Sequence, residues 1–156
     1  EFGQWNEWNH ESSLDWHLLD EPGHRGIQDW VRDLNHVYRE QRALHELDFS
    51  ESGFEWVDFH DAENSVVSFL RKASDPDDMI LVVCNFTPVP RENYAVGVPR
   101  GGRWQELLNS DAERYGGAGF GNAGGADSAP VPAQGRYHSL YLTLPPFGVL
   151  YLKPGS

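Results

Sequence analysis

The chain has 156 residues, 39% of them hydrophobic and 13% aromatic, enough for one packed domain or for one small domain plus a piece of another. Twelve Lys and Arg against 24 Asp and Glu leave a formal net charge of −12 with no basic cluster, which argues against a phosphate-reading nucleic-acid partner. A single cysteine excludes a disulfide framework, and no apolar run approaches the ~20 residues that a membrane helix needs. With no signal peptide at its head, the sequence is expected to work in the reducing cytoplasm, away from membranes.

The first stretch, GQWNEWN at residues 3–9, is polar yet carries Trp5 and Trp8. Its apolar positions follow neither a period of two nor a sustained period of 3.6, so it reads as a loop. Flat indole faces beside Asn6, Glu7, Asn9 and His10 match the two surfaces of a sugar, its apolar C–H face and its hydroxyls. A carbohydrate-contacting rim is one reading. The other is that both indoles pack the loop onto its own domain, the commoner fate of tryptophan. His10, His17 and His24 are spaced by seven, which suits neither a helical nor a compact-loop metal site. Glu7 with Glu11 or Asp15 could form a carboxylate pair, but a loop holds such a pair badly. No metal, no cofactor and no catalytic residue is assigned.

From Arg25 to about Ala43 the rhythm is helical. Ile27, Trp30, Val31, Leu34, Val37 and Tyr38 form one stripe. Gly26 is costly inside a helix, so the helix is expected to begin just after it, with a short continuation through Leu44 and Leu47. After Phe49 come seven short apolar stretches, FEWVDF, SVVSFLRKA, MILVVCNFT, NYAVGV, RWQELLN, HSLYLTLP and GVLYLKP, separated by turn formers. Residues 60–64 and 75–78 read as hairpin turns. The pattern predicts an antiparallel all-β sandwich of roughly 100 residues, with Cys84 a buried strand thiol.

Gly119-x-Gly121-x-x-Gly124 has the form of a dinucleotide fingerprint, but no strand leads into it and no helix follows. It is expected to be a long flexible surface loop. The helix and the opening loop have no core of their own, so the helix either packs on the sandwich or belongs to a larger body.

Four stretches, EFGQWNEWNHESSLDWHLL, VRDLNHVYREQRALHELDFSESGFEWV, NFTPVPRENY and HSLYLTLPPFGVLYL, together resemble the C-terminal part of bacterial-type 1,4-α-glucan (glycogen) branching enzymes of the α-amylase superfamily. The resemblance implies that residues 1–46 are the end of a (β/α)8 catalytic barrel: the exit of its eighth strand, the following loop and the last helix. Residues 47–156 would be the C-terminal all-β domain. It implies an α-glucan substrate and the rest of the barrel as partner, with retaining chemistry performed by two carboxylates that lie upstream of residue 1. On these grounds the piece is expected to be inactive alone. Barrel active sites are built from the loops after the strands. The resemblance therefore places Gln4, Glu7 and Trp8 as substrate-binding, and Trp5 beside them at a position where the family pattern varies. Two rivals stand beside this reading. One is a non-catalytic glucan-binding sandwich using Tyr94, Trp104, Tyr137 and Tyr141. The other is a debranching or trehalose-releasing sister enzyme.

Overall fold

The computed structural model describes residues 1–155; Ser156, the last residue of the expected β domain, lies outside them. The helix α1 runs Pro22–Glu40, beginning earlier than expected. Pro22 supplies the start, because its missing N–H and fixed φ suit the first turn of a helix. Gly26 is tolerated inside because another part of the chain presses on it there. The helix ends at Glu40, and the expected continuation is only a 3-10 turn at Arg42–Leu44.

Among the described residues eight strands follow: β1 (Phe54–Asp58), β2 (Val66–Lys72), β3 (Met79–Asn85), β4 (Arg91–Val98), β5 (Arg103–Asn109), β6 (Gly125–Asp127), β7 (His138–Leu144) and β8 (Val149–Pro154). Seven are the expected ones, and β6 is additional to them. They form a six-stranded sheet in the order β1-β2-β3-β8-β5-β6 and a two-stranded sheet of β4 and β7, all paired antiparallel. Between the two lies the main core, in which Leu70, Leu81, Val83, Leu150 and Leu152 meet Val96, Val98, Leu140, Leu142 and Leu144. The strands β2 and β8 alternate buried and half-buried, as a period of two dictates.

The strand β3 does not alternate. Met79 to Val83 are all buried, because the outer face of the large sheet carries a second cluster. There Ile80 and Val82 pack with Ala43, Leu44 and Ala73, and Val37 of α1 comes down on them. Cys84 shares that outer face, half-buried rather than buried, and burial pushes its thiol pKa up. The next residue, Asn85, is buried, donating to the Val89 and Pro145 carbonyls and accepting from Thr87.

The two expected hairpin turns are present. Asp61 accepts from the Asn64 backbone, and Asp75 from the Asp77 backbone. The Gly-rich segment corrects the expectation of a flexible loop. The Asp111 carboxylate accepts from the Ala118 and Phe120 N–H groups, and the Asn109 amide donates to the Phe120 carbonyl. Farther on, two side-chain amides imitate strand neighbours. Asn122 accepts from Thr143 N–H at 2.8 Å and donates to Thr143 C=O at 3.2 Å. Gln134 accepts from Gly97 N–H at 2.6 Å and donates to Ala95 C=O at 3.3 Å. Each amide thereby caps part of an outer edge of the two-stranded sheet, where unpaired ladder groups would otherwise invite another strand.

Candidate functional site

The first 20 residues form a loop folded on the start of α1. Phe2 is buried and stacks on Trp16, ring centroids 5.4 Å apart, and Leu18 is buried close by in the 3-10 turn Trp16–Asp20. Two further ties hold the ends of the loop to the helix. His24 Nδ1 donates to the Phe2 carbonyl at 2.8 Å, and the Arg25 guanidinium donates twice to the Leu19 carbonyl, at 3.0 and 2.8 Å.

Within this frame the loop closes through polar side chains. Gln4 Nε2 donates to the Asn6 carbonyl at 2.9 Å, and Gln4 Oε1 accepts from the Asp15 N–H. The Asn6 amide donates to the Asp15 carboxylate at 2.9 Å. Asn9 turns the tip, its side chain accepting from Glu11 N–H and its carbonyl from Ser12 N–H. The result is a hollow of about 240 Å³ lined by Gln4, Asn6, Glu7, Asn9, Ser12, Ser13, Leu14 and Asp15. Its walls are chiefly amides, hydroxyls and carboxylates, the groups that hydrogen-bond to sugar hydroxyls.

Of the four expected substrate-binding residues, Gln4 and Glu7 line this hollow, while Trp5 and Trp8 stand outside it. Trp5 is 80% exposed and meets the His24 ring edge-on at 5.3 Å; Trp8 is 73% exposed beside His10. The alternative in which both indoles pack the loop down therefore does not hold in this chain. Asn6, Asn9, Ser12, Ser13, Leu14 and Asp15 complete the hollow. The sequence presents Asn6 only as a polar companion of the indoles and Asp15 only as a candidate carboxylate, and nothing in it singles out the two serines. The Asn9-x-x-Ser12 turn signal is the clue to their convergence. Two of the three histidines are engaged separately: His10 lies near Glu11, and His24 holds Phe2. Among the described residues no group of three or more His, Cys, Asp or Glu could hold a metal ion.

The sandwich offers less to a sugar than its aromatic content suggests. Trp104 is fully buried in the main core, its indole N–H donating to the Arg100 carbonyl, which removes it from any binding platform. Tyr94 is half-buried and donates to Asp61 at 2.6 Å; burial first and Asp61 second push its pKa up. Of the four aromatics in that rival reading, only Tyr137 and Tyr141 remain exposed.

The helix stripe is divided between two directions. Gly26, Trp30, Asp33 and Val37 face the sandwich side, where they meet Tyr115 and the outer sheet cluster. Ile27 and Tyr38 are 46% and 44% exposed, and none of the six stripe residues is buried. Beyond the helix, Phe54, Trp56 and Phe59 at the edge of the large sheet form a mutually contacting, exposed aromatic cluster with the half-buried Phe69. No helix among the described residues is long and apolar enough to cross a membrane.

The family model described as the alpha amylase C-terminal all-beta domain matches residues 56–155. The chain is 63% identical over 153 residues to a 1,4-alpha-glucan branching enzyme GlgB of Aquifex aeolicus (strain VF5), covering 98% of this chain and 24% of that protein. It is 60% identical over 154 residues to the enzyme of the same name from Aromatoleum aromaticum (strain DSM 19018 / LMG 30748 / EbN1), covering 99% and 24%. Against the one from Pseudomonas putida KT2440 the identity is 56% over 154 residues, covering 99% and 21%. The chain thus spans about a quarter of the length of the curated relatives it matches, aligned with their C-terminal part, and the similarity runs through the opening loop and α1 as well as the sandwich. The chain belongs to the alpha amylase C-terminal all-beta domain family.

Proposed function

We propose that this chain is the C-terminal part of a 1,4-α-glucan branching enzyme, which cleaves α-1,4 bonds and transfers the freed segment to a 6-hydroxyl to form α-1,6 branches in glycogen. The observation that carries the reading is 63% identity sustained over 98% of the chain to a protein of that name. In this reading residues 1–46 close the catalytic barrel and residues 47–156 form the all-β domain. The reaction proceeds with retention through two carboxylates about 5–5.5 Å apart, one nucleophilic and one acid–base. Those carboxylates belong to the remaining barrel, so the 156-residue chain by itself is inactive.

Gln4, Trp5, Glu7 and Trp8 are substrate-binding in this proposal. The polar hollow takes glucose hydroxyls through Gln4 and Glu7, and the exposed indoles offer faces for pyranose C–H groups. The exposed Ile27 and Tyr38 side of α1, continuous with the Phe69 side of the large sheet, is the surface that the rest of the barrel covers. The enzyme works in the cytoplasm on glycogen and amylose-like chains, without nucleic acid or membrane partners. Amylose incubated with the complete enzyme should lose iodine absorbance and gain α-1,6 linkages, whereas the 156-residue chain should do neither. Robust branching by the isolated chain would overturn the reading.

A further inference from the structure

The end of the 3-10 turn Glu113–Tyr115, after β5, touches α1 at three successive places. A Cβ on Gly26 would collide with the Tyr115 carbonyl, so the helix backbone lies directly against this turn. The Tyr115 ring meets Trp30 edge-on at 5.3 Å, and its hydroxyl donates to Asp33 at 2.8 Å. Arg114 stacks its guanidinium over the same ring at 4.6 Å and reaches Asp33 at 3.6 Å. Residues 26, 30 and 33 are i, i+4 and i+7, one side of the helix gripped over two turns. The grip is anchored in the sheet, since Ser110 N–H donates to Val149 C=O and Tyr115 N–H to Ala112 C=O.

The helical turn that Tyr115 grips is also the one that holds the loop. His24 and Arg25 bind the Phe2 and Leu19 carbonyls, and Ile27 lies within 3.2 Å of where a Cβ on Gly3 would be. Gln4 is the next residue along, and Trp5 leans on His24. A rigid helix turn with the sandwich on one side and the loop on the other transmits any shift of about an ångström directly. Misplacement on that scale can cost up to about 10²-fold in rate or binding at a reacting or binding centre.

We propose that Tyr115, through its contacts with Gly26, Trp30 and Asp33 of α1, is a positioning residue for the Gln4–Trp8 rim, so that the β sandwich sets substrate affinity at a site it does not itself line. This rests on the rim being substrate-binding, as proposed above. The test uses the complete branching enzyme with amylose as substrate and maltoheptaose as a binding probe. Tyr115→Phe should raise KM about three- to tenfold with kcat within about twofold, and Gly26→Ala should raise KM further. Maltoheptaose dissociation constants should rise by the same factors. In the Trp8→Ala background the Tyr115→Phe effect on KM should shrink, because both changes act on the same rim. If Glu7→Gln and Trp8→Ala raise KM but Tyr115→Phe only lowers the thermal midpoint, the positioning role is overturned and the rim reading stands. If Glu7→Gln and Trp8→Ala leave KM unchanged, the rim reading fails and takes this one with it. Should Gly26→Ala not fold, the isosteric Tyr115→Phe and the double-mutant cycle decide alone.

Discussion

Trp104 and Trp8 are the same residue type under opposite rules. Trp104 sits on β5 between two exposed neighbours and is buried, with its one polar atom satisfied by the Arg100 carbonyl. Trp8 sits in a segment with no period, among side chains that bond to one another rather than to the indole, and it remains in water. Aromatic content alone therefore does not separate a core from a contact surface. Whether the neighbours' hydrogen bonds leave the ring a place to pack is what separates them.

Truncating each indole puts the two rules to measurement. Trp104→Ala removes a large buried side chain and should cost about 3–5 kcal/mol in urea unfolding. Trp8→Ala should change stability by no more than about 0.5 kcal/mol, since exposed positions without partners are near neutral. Equal losses at the two sites would mean that the loop indole is packed after all.

Two glycines in the same helix extend the contrast to the backbone. Gly26→Ala meets the Tyr115 carbonyl and should lower stability by about 1–3 kcal/mol. At Gly23 an added methyl would meet open space, so Gly23→Ala should raise stability by up to about 1 kcal/mol through helix propensity. Thermal unfolding of the pair therefore yields opposite signs. The same sign at both would show that the helix does not press on the turn.

A smaller effect lies at the capped edges of the two-stranded sheet. Gln134→Ala leaves Gly97 N–H and Ala95 C=O without their side-chain partner and should cost about 1–2 kcal/mol. Accelerated hydrogen exchange at Gly97 alone is the matching local readout; protection unchanged there would argue that the amide is ornamental.

The smallest expected signal is the pH dependence of the helix–sandwich seam. Burial and then the Asp33 hydrogen bond push the Tyr115 phenol up to about 12. Burial pushes the Asp33 carboxyl up, but Tyr115, Arg114 and Arg32 together outweigh it and hold the carboxyl below its usual value. A raised folded pKa contributes stability that is full below the free-tyrosine value near 10.0 and is lost as pH rises through about 12. A depressed one contributes above the free-aspartate value of 3.8 and is lost as pH falls through the folded value. The stability difference between the wild-type chain and Tyr115→Phe should thus be flat across neutral pH and shrink at both extremes. A difference that stays constant into acid would remove Asp33 from the seam.

Much of the fold is legible in the sequence because it rests on periodicity. The seven long strands announce themselves through β-branched and aromatic runs, and α1 through its stripe. What the sequence does not disclose has physical causes. The intrinsic cost of Gly26 points to a helix start beyond it, whereas its surroundings make the absent side chain a requirement. The strand β6, Gly125–Asp127, has no apolar pattern; it exists because Trp104 and Gln105 of β5 offer ladder groups to whatever lies beside them. At the rim, Gln4 and Glu7 do line the hollow, but the folding of the loop on Asn6 and Asp15 is a long-range amide–carboxylate bond that no spacing rule encodes.

The pinning of the Gly-rich segment also decides where foreign chain can be inserted. Asn122 and Gln134 are fixed by their ladder-like bonds, and Ala129 and Ala133 by bridges to Ser139 and Arg136. Between those anchors, Val131 and Pro132 are exposed. A fluorophore or affinity tag spliced at Val131–Pro132 would leave every anchor in place, while one spliced three residues after Gly119 would displace Asn122 and unzip an edge of the sandwich.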